Sequence, residues 1–425
     1  MRVYIETYGC ALNKGDSYIM RSVLVERGHS IVDNVTEADV IIVNTCTVRY
    51  DTEQKMINRI TSLREYCLKT GKKLIVAGCM AKAQPYLVAK IAPEASLVSP
   101  QNASRIWIAV ESPQRTILLD GERDRNCVGL WLENSIAVIP IQEGCLGNCS
   151  FCIVKNARRR VVSHPIHIIV KTVKNLIEKG ALEIELTGQD TSVYGIDLYG
   201  KQMLPELVRR ITEIKGDFMI RIGMTNPDTL RNIVDDIVEV LRHPKVYKFM
   251  HIPVQSGSNN VLKVMRRRYT VEEFVEIVNF LRRKIPGITI ATDIIVGHPG
   301  ETEDDFLQTI ELLRKIEPER VHLAQYSVRP NTLAAKLPQI DTKTKKRRSL
   351  QVLKLIEEIG LKKNSEYIGS TARVLLVENT LPHPTARLYN YTPVVITNIT
   401  RFKKGEWIKA KITNATFFDL RGVKI

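Results

Sequence analysis

Three cysteines lie close together near the middle of the chain, in the segment EGCLGNCSFC (143–152). Thiolates are the preferred ligands of iron–sulfur clusters, and zinc is their main competitor. A closed structural zinc site needs four ligands, and the gaps to His164 and His167 both fall a residue short of the usual finger spacing. We therefore interpret Cys145, Cys149 and Cys152 as ligands of an iron–sulfur cluster, with zinc or unliganded core thiols as the alternatives.

Three further cysteines, Cys10, Cys46 and Cys79, each end a short run that is typical of a β-strand. They are far apart along the chain, but the carboxyl ends of parallel strands meet at one edge of a sheet, where ligands gather. Gly9 and Gly78 precede two of them and suit a close approach of the backbone to a cluster. The pattern indicates a second three-cysteine cluster. The alternative is three buried thiols, because free cysteine is a common core residue.

The elements that must position this second triad lie in residues 1–110, where strand-like runs alternate with helical stretches. The runs are Val3–Thr7, Val40–Asn44 and Leu74–Ala77. Such alternation predicts an α/β domain with a parallel sheet and helices on its faces. Residues 111–133 are mixed in composition and rich in charge, and we interpret them as a linker.

Residues 134–363 repeat a strand-like run and a helical stretch about six times. The strand candidates are Ile136–Ile141, Glu183–Leu186, Phe218–Ile222, Phe249–Pro253, Ile288–Val296 and Val321–Tyr326. This pattern predicts a partial or complete (β/α) barrel with its chemistry at the carboxyl ends of the strands. The first cysteine triad directly follows the first of these strands.

Residues 366–425 form a series of short β-type runs separated by turn residues. The runs are Arg373–Val377, Thr392–Ile396, Glu406–Ile412 and Thr416–Phe418. They predict a compact β-barrel.

Lysine and arginine outnumber aspartate and glutamate by 62 to 46, which gives a net charge of +16 and a pI near 9.4. A field of this sign attracts polyanions, so RNA or DNA is the first partner class, with an ordinary solvated basic surface as the alternative. No apolar run approaches the roughly 20 residues that span a bilayer, and residues 1–8 lack the apolar stretch of a signal peptide. We therefore expect a cytoplasmic protein without a membrane partner.

The first triad, with Phe151 just before its last cysteine, resembles the cluster loop of radical S-adenosylmethionine (SAM) enzymes. In that family one iron of the cluster stays open to bind SAM, and the cofactor supplies the radical chemistry. The segments YGCALN (8–13), NTCTV (44–48) and AGCM (77–80) resemble the amino-terminal cluster domain of the methylthiotransferases. Those enzymes join this domain to a radical SAM barrel and a small RNA-binding β-barrel called TRAM, so the resemblance covers essentially the whole chain.

Four segments resemble the archaeal and eukaryotic threonylcarbamoyladenosine branch of the tRNA methylthiotransferases. They are LTGQDT (186–191), GMTNP (223–227), HIPVQS (251–256) and ATDIIVG (291–297). The resemblance implies methylthiolation at C2 of N6-threonylcarbamoyladenosine at position 37 of tRNA, next to the anticodon. His298 and the run Arg158–Arg160 depart from the family pattern, and we expect neither to touch a ligand cysteine.

The resemblance also implies the cofactors, the partners and the cluster ligands, whereas positions on or just after barrel strands indicate the SAM contacts. It implies two [4Fe-4S] clusters, SAM, tRNA, an electron donor such as a ferredoxin or flavodoxin, and a sulfur source. The predicted metal ligands are Cys10, Cys46, Cys79, Cys145, Cys149 and Cys152, the last three also serving catalysis. The predicted SAM contacts are Thr187, Gln189, Asp190, Arg221, Gln255 and Asp293. For each SAM contact, a core or loop-capping role is the alternative, and Cys67 and Cys127 are interpreted as structural thiols.

Three other functions compete with this hypothesis. The first is the same chemistry on a ribosomal protein, which predicts no modification of tRNA. The second is a non-catalytic iron–sulfur protein that binds RNA and senses redox state, which predicts clusters without SAM cleavage. The third is a zinc-stabilised RNA-binding protein, which predicts a colourless protein after anaerobic purification.

Overall fold

The computed structural model describes residues 1–378, 382–400 and 405–425, and its amino-terminal part is a parallel α/β sheet. The elements are β1 (Arg2–Thr7), α1 (Ala11–Glu26), β2 (Ser30–Val32), β3 (Val40–Thr45), α2 (Tyr50–Thr70), β4 (Lys73–Gly78), α3 (Cys79–Ala83), α4 (Pro85–Ile91), β5 (Ser96–Val98), α5 (Ile106–Glu111) and β6 (Ile117–Leu118). All neighbours pair in parallel, in the order β2-β1-β3-β4-β5-β6. Helices cover both faces, so every residue of β3 is buried and the strand reads as a continuous apolar run. The predicted parallel sheet is confirmed, and residues 117–118 of the predicted linker extend it.

The central part is a partial (β/α) barrel. Its elements are β7 (Ile136–Pro140), β8 (Gln142–Glu143), α6 (Val154–Ala157), β9 (Val162–Ser163), α7 (Ile166–Glu178), β10 (Glu183–Thr187), α8 (Ile196–Tyr199), α9 (Leu204–Thr212), β11 (Met219–Ile222), α10 (Pro227–Leu230), α11 (Val234–Arg242), β12 (Phe249–His251), α12 (Asn259–Val264), α13 (Val271–Lys284), β13 (Thr289–Val296), α14 (Glu303–Ile316), β14 (Arg320–Gln325) and α15 (Thr342–Ser365). Two parallel three-stranded sheets, β11-β10-β7 and β12-β13-β14, are joined by a bridge between Ile220 and Val246. All six predicted strands are present. Across the described ranges, no helix has both the length and the apolar character needed to cross a membrane.

The carboxyl-terminal part is a closed β-barrel with the strand order β15-β16-β17-β19-β18. Its strands are β15 (Thr371–Glu378), β16 (Thr385–Arg387), β17 (Pro393–Ile396), β18 (Trp407–Ala415) and β19 (Leu420–Lys424). The prediction of a strand at Thr416–Phe418 is wrong. The hydroxyl of Thr416 accepts hydrogen bonds from the backbone N–H groups of Phe418 and Asp419, which makes this segment the turn before β19.

The small β-barrel packs against the amino-terminal ends of the large barrel's strands. Leu375, Val377 and Trp407 share an apolar cluster with residues at the starts of β7, β11 and β12. Tyr391 adds a polar contact, because its hydroxyl donates to Oε1 of Glu185 at 2.6 Å. The carboxyl ends of the same strands therefore face the other way, toward the cysteine loop.

A buried ion cluster joins the amino-terminal sheet to the large barrel. We call Asp16, Arg123, Glu143 and Arg158 the junction cluster, and their side chains are at most 3% exposed. Glu143 Oε2 accepts from Arg123 at 2.9 Å and from Arg158 at 3.0 Å, and the same two guanidinium groups bind Asp16. Burial would raise the pKa of Asp16, but both arginines hold it below its ordinary value. Two positive and two negative groups thus offset one another, as buried charges must.

Replacing Arg158 by glutamine should destabilise the protein, because it leaves two buried carboxylates opposite one guanidinium. We expect Arg158→Gln to lower the free energy of unfolding by about 3–5 kcal/mol. Guanidinium denaturation followed by circular dichroism would measure this. The control is Arg159→Gln at the exposed neighbouring position, where a change within about 0.5 kcal/mol is expected. Equal midpoints for the two variants would contradict the structural role of the junction cluster.

Candidate metal centres

The loop that carries Cys145 is shaped by its glycines and by one lysine. Gly144 has φ +81°, and a Cβ there would lie 1.8 Å from the carbonyl oxygen of Arg160, so only glycine fits. The N–H of Gly147 donates to Cys145 Sγ at 3.1 Å. Lys155 donates to the carbonyl oxygens of Cys145 and Gly147 at 2.9 and 2.8 Å. These bonds hold the loop in a curve around its own sulfur atoms.

Two side chains from later strands and loops hold the same loop in place. Gln189, after β10, accepts a hydrogen bond from the N–H of Gly144 at 2.6 Å. Arg267 donates to Cys149 Sγ at 3.3 Å and to Asn226 Oδ1 at 2.5 Å. The barrel therefore contributes a half-buried positive charge next to one thiol of the first triad.

The second triad lies at the carboxyl ends of three adjacent strands, as the sequence predicts. Cys10 caps α1 after β1, Cys46 follows β3, and Cys79 begins α3 after β4. A Cβ on Gly9 would lie 2.7 Å from the Cβ of Cys46, so the loop after β1 passes this thiol at van der Waals distance. Thr45 donates to the carbonyl of Ala77 and accepts from the N–H of Met80, which ties the two later loops together.

Burial sets the protonation of these thiols. It raises the pKa of Cys79 to about 12, and the two other thiols of the triad raise it further while Arg158 opposes them. Burial likewise raises the pKa of Cys145 to about 12, with Asp190 and the two other loop thiols adding to it. Cys10 and Cys46 both raise the pKa of Cys79, and Cys149 and Cys152 both raise the pKa of Cys145, so the members of each triad lie close enough to interact. Without a bound cation such thiols stay protonated.

Arg158 contacts a cysteine of the second triad, contrary to the expectation from the sequence. Its Nε lies 3.5 Å from Cys79 Sγ as a hydrogen-bond donor, and one Nη donates to Asn13 Oδ1 at 3.3 Å. The other Nη binds Glu143, two residues before Cys145. A single buried guanidinium therefore bridges the surroundings of both triads. His298, the other departure, packs edge-on against Phe151 with ring centroids 6.0 Å apart.

The zinc-finger alternative finds no support among the two histidines. His164 is buried, with Nδ1 2.8 Å from the carbonyl of Arg125 and Nε2 accepting from Arg123 at 3.4 Å. Burial and the nearby Arg123 lower the pKa of His164 to about 3. His167 lies exposed on α7. Both histidines are thus engaged elsewhere or directed to solvent.

Thr187 ends β10 and Asp190 follows it, where the sequence predicts SAM contacts. Thr187 is buried at the last position of the strand, and its carbonyl accepts from the N–H of Ile141. Asp190 accepts hydrogen bonds from the hydroxyls of Ser192 and Thr229. Burial raises the pKa of Asp190 to about 6. The carboxylate of Asp190 already has partners inside the protein, so the predicted SAM contact stays a prediction.

The other predicted SAM contacts, Arg221, Gln255 and Asp293, differ in whether their polar atoms already have partners in the protein. Arg221 is buried below the small β-barrel, with its guanidinium 5.0 Å from the ring of Tyr391 and 5.1 Å from that of Phe249. Gln255 has φ +74°, and its buried Oε1 has no partner within the described ranges. Asp293 is bound by two histidines. Gln255 therefore offers the clearest unfilled acceptor of the three.

A further buried ion pair, which no sequence pattern indicates, joins Arg329 to Glu53. Arg329 follows β14 in the barrel, whereas Glu53 lies on α2 beside Cys46 and also accepts from Thr47 at 2.8 Å. Nε and Nη1 of Arg329 are buried without a partner in the part of the chain that the structure describes. No local pattern could reveal this pair, because the two residues are 276 positions apart.

A cavity of about 790 Å³ lies at the junction of the amino-terminal sheet and the barrel. Its basic lining residues are Lys82, Arg123, Arg125, Arg159 and Arg160, and its acidic ones are Asp120, Glu122 and Glu143. Lys82 pairs with Asp120, and Arg125 pairs with Asp197. Arg159 and Arg160 are exposed and have no ion-pair partner within the described ranges.

Comparisons with known proteins agree with this arrangement. Residues 139–313 match the radical SAM superfamily, and residues 2–99 match a family described as uncharacterized protein family UPF0004. Membership of the radical SAM superfamily implies SAM and a [4Fe-4S] cluster. In fold, the chain resembles the radical SAM methyltransferase TsrM from Kitasatospora setae, with TM-score 0.59, 13% identity, and 79% of this chain and 75% of that chain covered.

Relatives match over nearly the full length. A probable threonylcarbamoyladenosine tRNA methylthiotransferase of Methanocaldococcus jannaschii is 41% identical, with 99% of this chain and 96% of that protein covered. One of Archaeoglobus fulgidus is 40% identical, with 99% and 98% covered. The human threonylcarbamoyladenosine tRNA methylthiotransferase is 35% identical, with 89% and 66% covered. The chain therefore belongs to the threonylcarbamoyladenosine tRNA methylthiotransferase family and contains a radical SAM domain.

Proposed function

We propose that this protein transfers a methylthio group to C2 of N6-threonylcarbamoyladenosine at position 37 of tRNA, using SAM and two [4Fe-4S] clusters. The observation that carries the proposal is the pair of cysteine triads, one at the carboxyl ends of three parallel strands and the other in the loop that follows β8. Arg158 bonds to Cys79 of the former and to Glu143 beside the latter. The full-length relatives named for this activity support the substrate. The domain limits we propose are 1–110, 134–363 and 366–425, joined by a linker at 111–133.

The residues of each triad fit an iron–sulfur cluster. Burial raises the pKa of two thiols in each triad, and thiols release their protons when a cationic centre binds them. The absence of a side chain at Gly147 keeps the space beside two ligand sulfurs open. A Cβ at this position would lie 3.2 Å from Cys145 Sγ and 3.6 Å from Cys149 Sγ. When bound, the clusters and SAM supply the radical and methylthio-transfer chemistry. We assign one cluster to Cys145, Cys149 and Cys152, and the other to Cys10, Cys46 and Cys79.

The protein's own side chains hold and tune these centres. Arg158 and Arg267 each donate to one ligand sulfur, at 3.5 and 3.3 Å. Hydrogen bonds to sulfur and the exclusion of solvent both tune the potential of such a cluster. For SAM, we propose contacts from Thr187, Gln189, Asp190, Gln255 and Asp293, of which Gln255 has a buried acceptor without a partner among the described residues. Arg221 lies beside Tyr391 at the closed end of the barrel, so the SAM contact predicted for it from the sequence is not part of this proposal.

Charge supports a tRNA partner. The net charge of +16 draws phosphates, and Arg159 and Arg160 offer two cations at the cavity near the junction cluster that pair with no described carboxylate. The target base must leave its stack to reach the site, which a single-stranded loop permits. An electron donor such as a ferredoxin or flavodoxin and a sulfur source complete the proposed set of partners, and the proposed location is the cytoplasm.

Iron content tests the two-cluster assignment. We expect about eight iron atoms per reconstituted wild-type chain and about four after Cys10→Ala, Cys46→Ala and Cys79→Ala are combined, because each cubane holds four. Iron and acid-labile sulfide analysis would measure this. Cys67→Ser is the matched control, since Cys67 packs in the apolar core outside both triads and should keep all the iron. Full iron content in the triple variant would contradict the second cluster.

Nucleoside mass analysis tests the substrate. Reconstituted protein is incubated anaerobically with SAM, reductant and sulfide, and with tRNA that carries threonylcarbamoyladenosine or isopentenyladenosine. We expect a methylthio product from the first tRNA alone. Product from the second tRNA alone would keep the enzyme class and overturn the substrate. Release of 5′-deoxyadenosine without either product would redirect the search to a protein substrate.

The salt dependence of tRNA binding tests the two exposed arginines. Each phosphate contact contributes roughly one unit to the slope of log affinity against log salt. The double variant Arg159→Gln, Arg160→Gln should therefore reduce the slope by about 2, as fluorescence anisotropy would measure. Lys174→Gln on the exposed face of α7 is the control. An unchanged slope in the double variant would place the tRNA elsewhere.

A further inference from the structure

The inner wall of the large barrel carries a polar cluster built around Asp293. His251 on β12, Asp293 on β13 and His322 on β14 have ligand atoms that all lie within 4.8 Å of one another. Asp293 Oδ1 lies 2.8 Å from Nε2 of His251 and 3.0 Å from Nδ1 of His322. The two imidazole rings stand edge to face, with centroids 4.9 Å apart. We call these three residues the histidine clamp.

Asp293 orients both rings. Burial would raise the pKa of Asp293, but hydrogen bonds from His251 and His322 hold it well below its ordinary value, so the carboxylate is ionised. An ionised carboxylate only accepts hydrogen bonds, so each ring turns an N–H toward Asp293. In a neutral imidazole the remaining nitrogen is then an acceptor. Nδ1 of His251 and Nε2 of His322 are those acceptors, and neither has a protein partner within the described ranges.

The clamp lies at the active end of the barrel. The carbonyl of His251 accepts hydrogen bonds from the N–H and hydroxyl of Thr225. The next residue, Asn226, accepts from Arg267, which donates to Cys149 Sγ at 3.3 Å. A short chain of contacts thus connects the clamp to the first cysteine triad.

A ligand can reach one end of the clamp. The side chain of His251 is 11% exposed, that of Asp293 is 26% exposed, and that of His322 is 55% exposed. The exposed fraction therefore rises across the sheet from β12 to β14, the edge strand. The acceptor of His322 is therefore open to a ligand with N–H or O–H donors, and the acceptor of His251 lies deeper in the same wall.

We propose that the histidine clamp binds the polar N6 side chain of the substrate nucleoside and thereby sets substrate specificity. The inference rests on the proposed function, because it takes the substrate from that proposal. A threonylcarbamoyl group has a carbamoyl N–H and a hydroxyl that the two imidazoles can accept. An isopentenyl group has neither and leaves both acceptors unpaired. Sites built to hydrogen-bond a substrate reject analogues that lack the matching groups, by up to about 10⁴–10⁵-fold.

The test compares variants of the clamp on the two tRNAs described above, with the cluster-loaded, full-length protein. His322→Leu removes one acceptor, His322→Gln keeps an amide oxygen, and His167→Gln on exposed α7 is the matched control. We expect His322→Leu to lower kcat/KM on threonylcarbamoyladenosine tRNA by about 100-fold, with partial rescue in His322→Gln and no loss in the control. The preference in Kd for this tRNA over isopentenyladenosine tRNA should fall by about tenfold.

The ratio of the two Kd values distinguishes recognition of the N6 side chain from a structural role of His322. A structural role would weaken the binding of both tRNAs equally. The same ratio in His322→Leu and in the wild type would overturn the inference while leaving the proposed function intact. A wild-type protein that methylthiolates neither tRNA, or only the isopentenyladenosine one, would overturn both. The inference would also be overturned if the wild type bound one equivalent of a divalent metal and His322→Leu did not. The two imidazoles and the carboxylate would then be metal ligands.

Discussion

The buried junction cluster is the interaction on which the rest of the structure depends. Asp16 belongs to α1 of the amino-terminal sheet, Glu143 leads into the first cysteine loop, and Arg158 leaves it. Burying four charges costs little free energy only when each charge has an oppositely charged partner. Any other docking of the two parts would leave buried charges without partners, so one arrangement is favoured. That constraint sets the distance between the two cysteine triads. Arg158 links the junction cluster directly to Cys79, because the same guanidinium binds both carboxylates and the sulfur.

Each triad follows the same physical logic. Glycines allow the backbone to pass close to sulfur, burial disfavours the bare thiolates, and one guanidinium lies against one sulfur. In the first triad that group is Arg267 from the barrel, and in the second it is Arg158 from the first triad's own loop. Positive charge and hydrogen-bond donors stabilise anionic sulfur where water is absent. The guanidinium beside the first triad therefore comes from the barrel itself. The one beside the second triad is in place only when the amino-terminal sheet contacts the barrel.

The barrel is closed at one end and open at the other. The small β-barrel packs on the amino-terminal ends of the strands, where Tyr391 binds Glu185 and lies beside Arg221. The opposite ends carry the cysteine loop, the free acceptor of Gln255 and the histidine clamp. This polarity concentrates the proposed chemistry at one face, so that a large RNA needs to present only one base to it.

The sequence by itself determined the α/β class, the six barrel strands and the strand-end positions of the cysteines, because these follow from local hydrophobic period and short-range spacing. It could not place Thr416–Phe418, since one hydroxyl that caps backbone N–H groups outweighs a weak strand preference. Nor could it pair Arg158 with Asp16 or bring His251, Asp293 and His322 together. Those contacts join residues far apart in the chain, and only the parallel register of the strands and the docking of the domains made them neighbours. Tertiary structure thus decided which polar residues are buried together.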